Sequence, residues 1–185
     1  MKTNWSKAEK ILKNGGVIIA PTDTLYGILA CAEDKNAVQK IYKIKGRDNN
    51  KPFIILIASI KDLEKFGIEN SNIKENMKMF PKGKKVSFIL SCSKSEFKYL
   101  HRGTKSLAFR VVNTKNKNLF KLIQNTGSLV APSANPQGLS PAKTITEAKK
   151  YFDIKIDLYI NGGKRNSKPS TIISLLEEVP KILRK

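Results

Sequence analysis

Gly16-Val17-Ile18-Ile19-Ala20-Pro21-Thr22-Asp23-Thr24-Leu25-Tyr26-Gly27 sets a short apolar run directly against a polar turn. Residues 17–20 are too few and too β-branched for a helix, so they read as a buried strand ended by Pro21. The turn then gathers a proline, two hydroxyls and a carboxylate at one strand end. In open α/β sheets ligands sit at such ends. The same residues also make an ordinary capped turn, with Asp23 or Thr24 capping the next segment.

Upstream, residues 6–14 read as an amphipathic helix with Ala8, Ile11 and Leu12 on one face, stopped by Asn14-Gly15-Gly16. Downstream, Ala37, Val38, Ile41 and Ile44 recur at helical spacing over 36–45, and Gly46 closes that helix. Residues 53–58, 86–90, 107–112, 129–131, 158–160 and 171–174 read as strands. Residues 61–66, 73–80, 118–124 and 145–151 read as helices. Several strands succeed one another without a helix between them. The pattern predicts an α/β domain built on a twisted mixed β-sheet with flanking helices.

The chain has 185 residues, a length that fits one domain, 1–185. Its longest apolar run, residues 53–58, is far below the ~20 residues a membrane-spanning helix needs. No signal peptide is visible, and the two cysteines, Cys31 and Cys92, read as reduced thiols, so a cytoplasmic protein is expected. No zinc-ligand spacing occurs, and no bound metal is expected.

Lys and Arg number 35 against 15 Asp and Glu, a net charge of +20. Such a charge points to a polyanionic partner. Only five of the basic residues are arginines, however, and Lys, Ile and Asn are all plentiful. Compositional drift on a solvated surface accounts for the charge equally well.

Two further loops resemble the first. Lys43-Ile44-Lys45-Gly46-Arg47 brackets a glycine with two cations ahead of Lys51-Pro52. Arg47 offers a bidentate fork for phosphate or carboxylate, and Lys45 adds a point charge. The same cations also suit a helix C-terminus. Ala131-Pro132-Ser133-Ala134-Asn135 places hydroxyl and amide groups straight after a strand, which again is common in turns. Arg110 lies inside the apolar stretch 106–112 and needs a partner there, either a bound anion or a distant carboxylate. Neither a Walker A loop nor GxGxxG is present.

Together these elements resemble a known family, the YrdC/TsaC threonylcarbamoyl-AMP synthases (L-threonine–bicarbonate adenylyltransferases). Residues 16–27 resemble its PTDTxYGL signature, and residues 41–47 its KxR element. Pro132-Ser133-Ala134-Asn135 is similar to its SxN element. Residues 106–110, 168–173 and 182–184 match its TVAVR, ESTVVD and closing LR elements. The chain departs from the family pattern at Asp48, Phe53, Leu56 and Pro136-Gln137-Gly138.

The resemblance implies a single YrdC-like domain with a basic concave face, in the short form of the family. It implies synthesis of threonylcarbamoyl-AMP from L-threonine, bicarbonate and ATP, with release of pyrophosphate. A threonylcarbamoyl transferase complex would then modify ANN-decoding tRNAs. By the same resemblance Lys45, Arg47, Ser133 and Asn135 form the catalytic set. Thr24, Tyr26, Arg110 and Ser170 would meet threonine or its carbamate, and Ser106, Ser140 and Arg184 would line the nucleotide. Mg²⁺ would arrive with ATP. Two other readings stand beside this one. The first is a non-catalytic double-stranded RNA or tRNA binder on the same fold, in keeping with the charge. The second is a different carbamoyl adenylation, as in the YrdC-like module of hydrogenase maturation proteins. Weak tRNA binding and no membrane contact are expected.

Overall fold

The computed structural model describes residues 2–68, 73 and 85–185. The elements in chain order are α1 (Lys2–Lys13), β1 (Ile18–Pro21), β2 (Tyr26–Cys31), α2 (Lys35–Lys45) and β3 (Ile54–Ile57). A 3₁₀ segment (Ile60–Phe66) and β4 (Val86–Ser91) come next, then α3 (Lys98–His101), β5 (Ser106–Val111) and α4 (Lys117–Thr126). The chain ends with β6 (Leu129–Val130), α5 (Ile145–Phe152), β7 (Leu158–Tyr159), β8 (Thr171–Ser174) and β9 (Lys181–Arg184). The helix expected at 73–80 lies outside the described residues except for Ile73.

Among the described residues one nine-stranded sheet has the order β7-β1-β2-β6-β3-β5-β4-β8-β9. It is mixed. The pairs β1–β7, β3–β5 and β4–β8 are parallel, and β1–β2, β2–β6, β3–β6, β4–β5 and β8–β9 are antiparallel. Alternation along each strand splits the core in two. Ile55, Ile57, Phe109 and Phe88 point to the face covered by Ala37, Val38 and Ile41 of α2 and Ala148 and Phe152 of α5. Leu56, Leu129, Leu29 and Val112 point to the other face, where Ala8 and Leu12 of α1 meet Leu119, Leu122 and Ile123 of α4.

Among the described residues, the second face is buried less evenly along its length. Val112 shares it with Arg110, because alternate residues of a strand face one way. Further along that face Ala108, Ile89 and Ile172 are half-buried and join neither core. Among the described residues, these less buried positions lie on the same face as Arg110.

Two departures from the sequence reading matter for the site. Tyr26-Gly27, grouped with the turn in the sequence, opens β2, so Thr22–Leu25 is the turn of an antiparallel hairpin with Pro21 opposite Tyr26. β9 has no counterpart among the expected strands, and all four of its residues are exposed. Its apolar signal is correspondingly slight.

Candidate active site

The β1–β2 turn is tied internally by Thr22. Its backbone N donates to the Leu25 carbonyl at 3.0 Å, its hydroxyl donates to the same carbonyl at 2.8 Å, and it accepts from the Thr24 backbone N at 3.1 Å. The Thr24 hydroxyl lies 3.1 Å from that of Thr22. With Thr22 so occupied, Asp23 projects from the tip. Its carboxylate accepts from Arg110 Nη2 at 2.8 Å. The buried arginine thus finds a distant carboxylate, one of the two partners its sequence setting allows.

Arg110 is 4% exposed, and its Nε has no hydrogen-bond partner. Burial pulls its guanidinium pKa down, against the pull of Asp23. Arg184 approaches from β9 and donates through Nε and Nη2 to the Ser170 carbonyl at 3.0 and 2.9 Å. Its pKa falls too, first through burial and then through the nearby charge of Arg110. The Ser170 hydroxyl, fully buried, lies 2.9 Å from that of Ser87. Two guanidiniums thus share one neighbourhood, with a carboxylate on only one of them.

The second wall is the 132–139 loop. It runs beside β2: Ile28 N donates to Pro132 O at 2.9 Å, Ala134 N donates to Tyr26 O at 2.8 Å, and Gly27 pairs with Ser133. Within the loop the Ser133 hydroxyl donates to Asn135 Oδ1 at 2.6 Å. Asn135 Nδ2 donates to the carbonyls of Leu139 and Pro136 at 2.6 and 3.0 Å.

Lys45 clamps this loop to the end of α2. Its Nζ donates to the Ser133 carbonyl at 2.6 Å and also to the Asn135 carbonyl. Its own carbonyl accepts from Gln137 N at 2.9 Å. Lys45 is 3% exposed, and burial, with the charge of Arg47 adding to it, lowers its ammonium pKa to about 7. Gly46 caps the helix at φ 57°, a left-handed conformation that suits glycine. The chain then turns and presents Arg47, whose Nε donates to the Lys51 carbonyl at 3.1 Å.

Tyr26 is fully buried. Its hydroxyl donates to the Gly163 carbonyl at 2.8 Å and accepts from Gly162 N at 2.9 Å. It anchors the loop after β7. That loop comes so close that a Cβ on Gly162 would stand 2.5 Å from Pro21 Cγ.

Two expected residues stand apart from these groups. Ser106 opens β5, four residues and about 13 Å of strand from Arg110. Its hydroxyl donates to that of Thr104 at 3.3 Å. Ser140 is exposed, and its carbonyl accepts from Tyr151 at 3.1 Å. No sequence signal marks Asp23 as partner to Arg110, Ser87 beside Ser170, or Gln137 on Lys45. These pairs meet only through the fold. The single histidine, His101, takes no part here: it is buried, and its Nδ1 accepts from Gly103 N at 3.1 Å.

The profile of the Sua5_yciO_yrdC family, described as "Telomere recombination", matches residues 10–185. The chain belongs to the Sua5/YciO/YrdC family. It is 32% identical over 184 residues to a Bacillus subtilis protein named threonylcarbamoyl-AMP synthase, covering 97% of this chain and 52% of that one. Among solved structures, Pyrococcus abyssi Sua5 complexed with L-threonine superposes with a TM-score of 0.88 at 31% identity, over 100% of this chain and 54% of that one. Escherichia coli YciO superposes at 0.84 and 25% identity, over 100% of this chain and 90% of that one. The chain thus spans about half the length of the Bacillus and Pyrococcus relatives. Among the described residues, no helix is long and apolar enough to cross a membrane.

Proposed function

We propose that this chain catalyses the ATP-dependent formation of threonylcarbamoyl-AMP from L-threonine and bicarbonate, with release of pyrophosphate, as the first step of threonylcarbamoyladenosine formation on ANN-decoding tRNAs. The observation that carries this reading is the placement of two anion-seeking groups around one hairpin. On one side Lys45 clamps the Ser133–Asn135 loop to the end of α2, beside which Arg47 stands. On the other, Arg110 and Arg184 lie in one neighbourhood, and among the described residues only Arg110 is paired with a carboxylate, Asp23. The names of the Bacillus and Pyrococcus relatives support it.

The chemistry asks little of acids and bases. The threonine amine attacks bicarbonate-derived carbon to give a carbamate and water. A carbamate oxygen then attacks the α-phosphorus of ATP, and pyrophosphate leaves with the electron pair of the broken P–O bond. Charge gathers on phosphate oxygens throughout, so rate comes from positioning and from fixed cations. Arg47, half-buried and bonded only to neutral carbonyls, keeps its charge available for the phosphates. Lys45 fixes the loop that carries Ser133 and Asn135 against the same end of α2. Arg110 and Arg184 suit the threonine carboxylate or the carbamate, whose negative charge would relieve their mutual repulsion. Thr24 supplies a hydroxyl to the amino acid.

Mg²⁺ would come as the ATP complex. Asp23 is engaged by Arg110, and among the described residues no three His, Cys, Asp or Glu side chains gather to form a protein cage. Phosphate and water ligands fit that donor set.

The test is pyrophosphate release from ATP, measured with and without L-threonine and bicarbonate. Release that needs both supports the reading. Release independent of either, or none, overturns it. Arg47→Ala should lower the rate by about 2–4 kcal/mol of transition-state stabilisation, and Arg47→Lys should recover only part of it, because the planar fork is lost.

A further inference from the structure

Arg47 is the end member of a chain of ring contacts that leads away from the site. Its guanidinium carbon lies over the Phe53 ring, 5.3 Å from the centroid. Phe53 stacks on Tyr42 with centroids 4.1 Å apart and planes inclined by 26°. The Arg102 guanidinium lies 3.9 Å from the Tyr42 centroid. Phe53 and Arg102 both approach Tyr42 so closely that they must occupy its opposite faces. Tyr42 and Phe53 are 2% and 4% exposed, so the middle of the chain is locked in the core.

Hydrogen bonds tie the same groups together. The Tyr42 hydroxyl and Arg47 Nε both donate to the Lys51 carbonyl, at 3.0 and 3.1 Å. Arg102 Nη2 donates to Gln39 Oε1 at 2.7 Å. Arg102 also has a left-handed backbone, φ 52°, which a residue with a Cβ rarely adopts. Its ring contact and hydrogen bond hold it there. Among the described residues no carboxylate lies within ion-pair distance of Arg47. Its hydrogen-bond and ring partners are all neutral, and Asp48 acts on it only from beyond ion-pair distance.

A free arginine side chain samples many rotamers and loses that freedom when it is held. A cation that must meet a transition state works best if that freedom is already lost. We infer that Phe53, Tyr42 and Arg102 are positioning residues that hold the Arg47 guanidinium in its working orientation. This rests on the reading of Arg47 as the cation that meets the substrate phosphates. It makes Arg102, which succeeds α3 and touches none of the candidate site, a position that controls turnover.

The experiment is a mutant cycle. Phe53→Leu keeps apolar bulk and removes the ring, and Arg102→Met removes the half-buried outer cation. Each is made alone and on the Arg47→Ala background. We expect Phe53→Leu to lower kcat for pyrophosphate release about fivefold to tenfold, with the KM for L-threonine within about twofold. Arg102→Met should lower kcat about threefold. Phe53→Tyr, which keeps the ring, should restore the rate. On the Arg47→Ala background neither Phe53→Leu nor Arg102→Met should cost anything further. Equal losses with and without Arg47, or no loss in either background, would overturn the inference.

A second readout needs no turnover. In nuclear magnetic resonance spectra of the ligand-free protein, the Arg47 Nε–Hε signal should be sharp and ring-current shifted. It should move and broaden in Phe53→Leu and in Arg102→Met. An unmoved signal in both variants would overturn the inference. If the wild type releases no pyrophosphate with threonine and bicarbonate, the reaction reading fails, while this signal still decides the positioning.

Discussion

Arg110 donates to the Asp23 carboxylate at 2.8 Å, fastening the tip of the β1–β2 turn to the C-terminal end of β5 across 87 residues of sequence. The pair is nearly dry, with side chains 5% and 12% exposed. Removing one partner strands the other, which costs about 3–5 kcal/mol, whereas removing both costs much less. Asp23→Asn should therefore destabilise the fold by that amount in urea unfolding. The double variant Asp23→Asn with Arg110→Met should regain most of it. If the double variant is as unstable as the two single losses added together, the pair is not coupled in this way.

Thr24 is 6% exposed, and its hydroxyl meets only that of Thr22 among the described residues. Thr22 has other partners and does not need it. Thr24→Val should leave the turn intact and shift thermal unfolding by less than about 1 kcal/mol equivalent, the net worth of one hydrogen bond. Calorimetry should show weaker L-threonine binding with ATP binding unchanged. Equal weakening of both ligands would mean that the hydroxyl serves the turn rather than the amino acid.

The legible part of this molecule comes from local physics. β3 stands out as an uninterrupted apolar run, β5 as an apolar run broken only by Arg110 after its opening Ser106, and α2 through its four apolar positions and its glycine cap. β2 escapes such a reading because Tyr26-Gly27-Ile28-Leu29-Ala30-Cys31 is buried almost throughout and shows no alternation. Its partner strand lies across a turn whose polar residues suggest a loop. Within the site, Lys45 and Arg47 are legible as cations beside a glycine. That Lys45 is buried is not, because the carbonyls that surround it belong to residues 88 and 90 positions away. The two partners open to Arg110 are separated only by the hairpin that delivers Asp23.

Lys45 ties stability to pH. Its ammonium is lowered from 10.5 to about 7 by burial and by Arg47. Below about pH 7 it is charged in both folded and unfolded chains, and the cost of burying the charge is fully present. Between about 7 and 10.5 the unfolded chain binds the extra proton, so this cost is relieved as pH rises, by at most about 1.4 kcal/mol per pH unit. Wild type should therefore gain stability relative to Lys45→Met between about pH 6.5 and 9, by urea unfolding at each pH. Nucleotide affinity should run the other way, falling as the ammonium that clamps Ser133 and Asn135 loses its proton. A stability difference independent of pH would show that Lys45 stays charged throughout.

The net charge of +20 allows catalysis to be separated from RNA binding. Thirty of the 35 basic residues are lysines, compact point charges without the planar fork that reads phosphate geometry. Of the five arginines, Arg110 is buried on Asp23, Arg184 is tied to Ser170, and Arg102 lies on Tyr42. Little fork chemistry is left for a polyanion. Binding of tRNA should then be weak and non-specific, and log affinity should fall linearly with log salt as counterions are released. Pyrophosphate release should barely change over the same range. Salt of ~0.15 M screens charges beyond ~8 Å, whereas on the proposed reading substrate phosphates would touch their cations directly. Titrating an ANN-decoding tRNA and a control tRNA at two salt concentrations decides the matter. Equal affinities that collapse together at the higher salt are expected. A preference for the ANN-decoding tRNA that survives there would mean that the lysine surface is a selected RNA-binding face and that the chain has a second function beside the proposed adenylation.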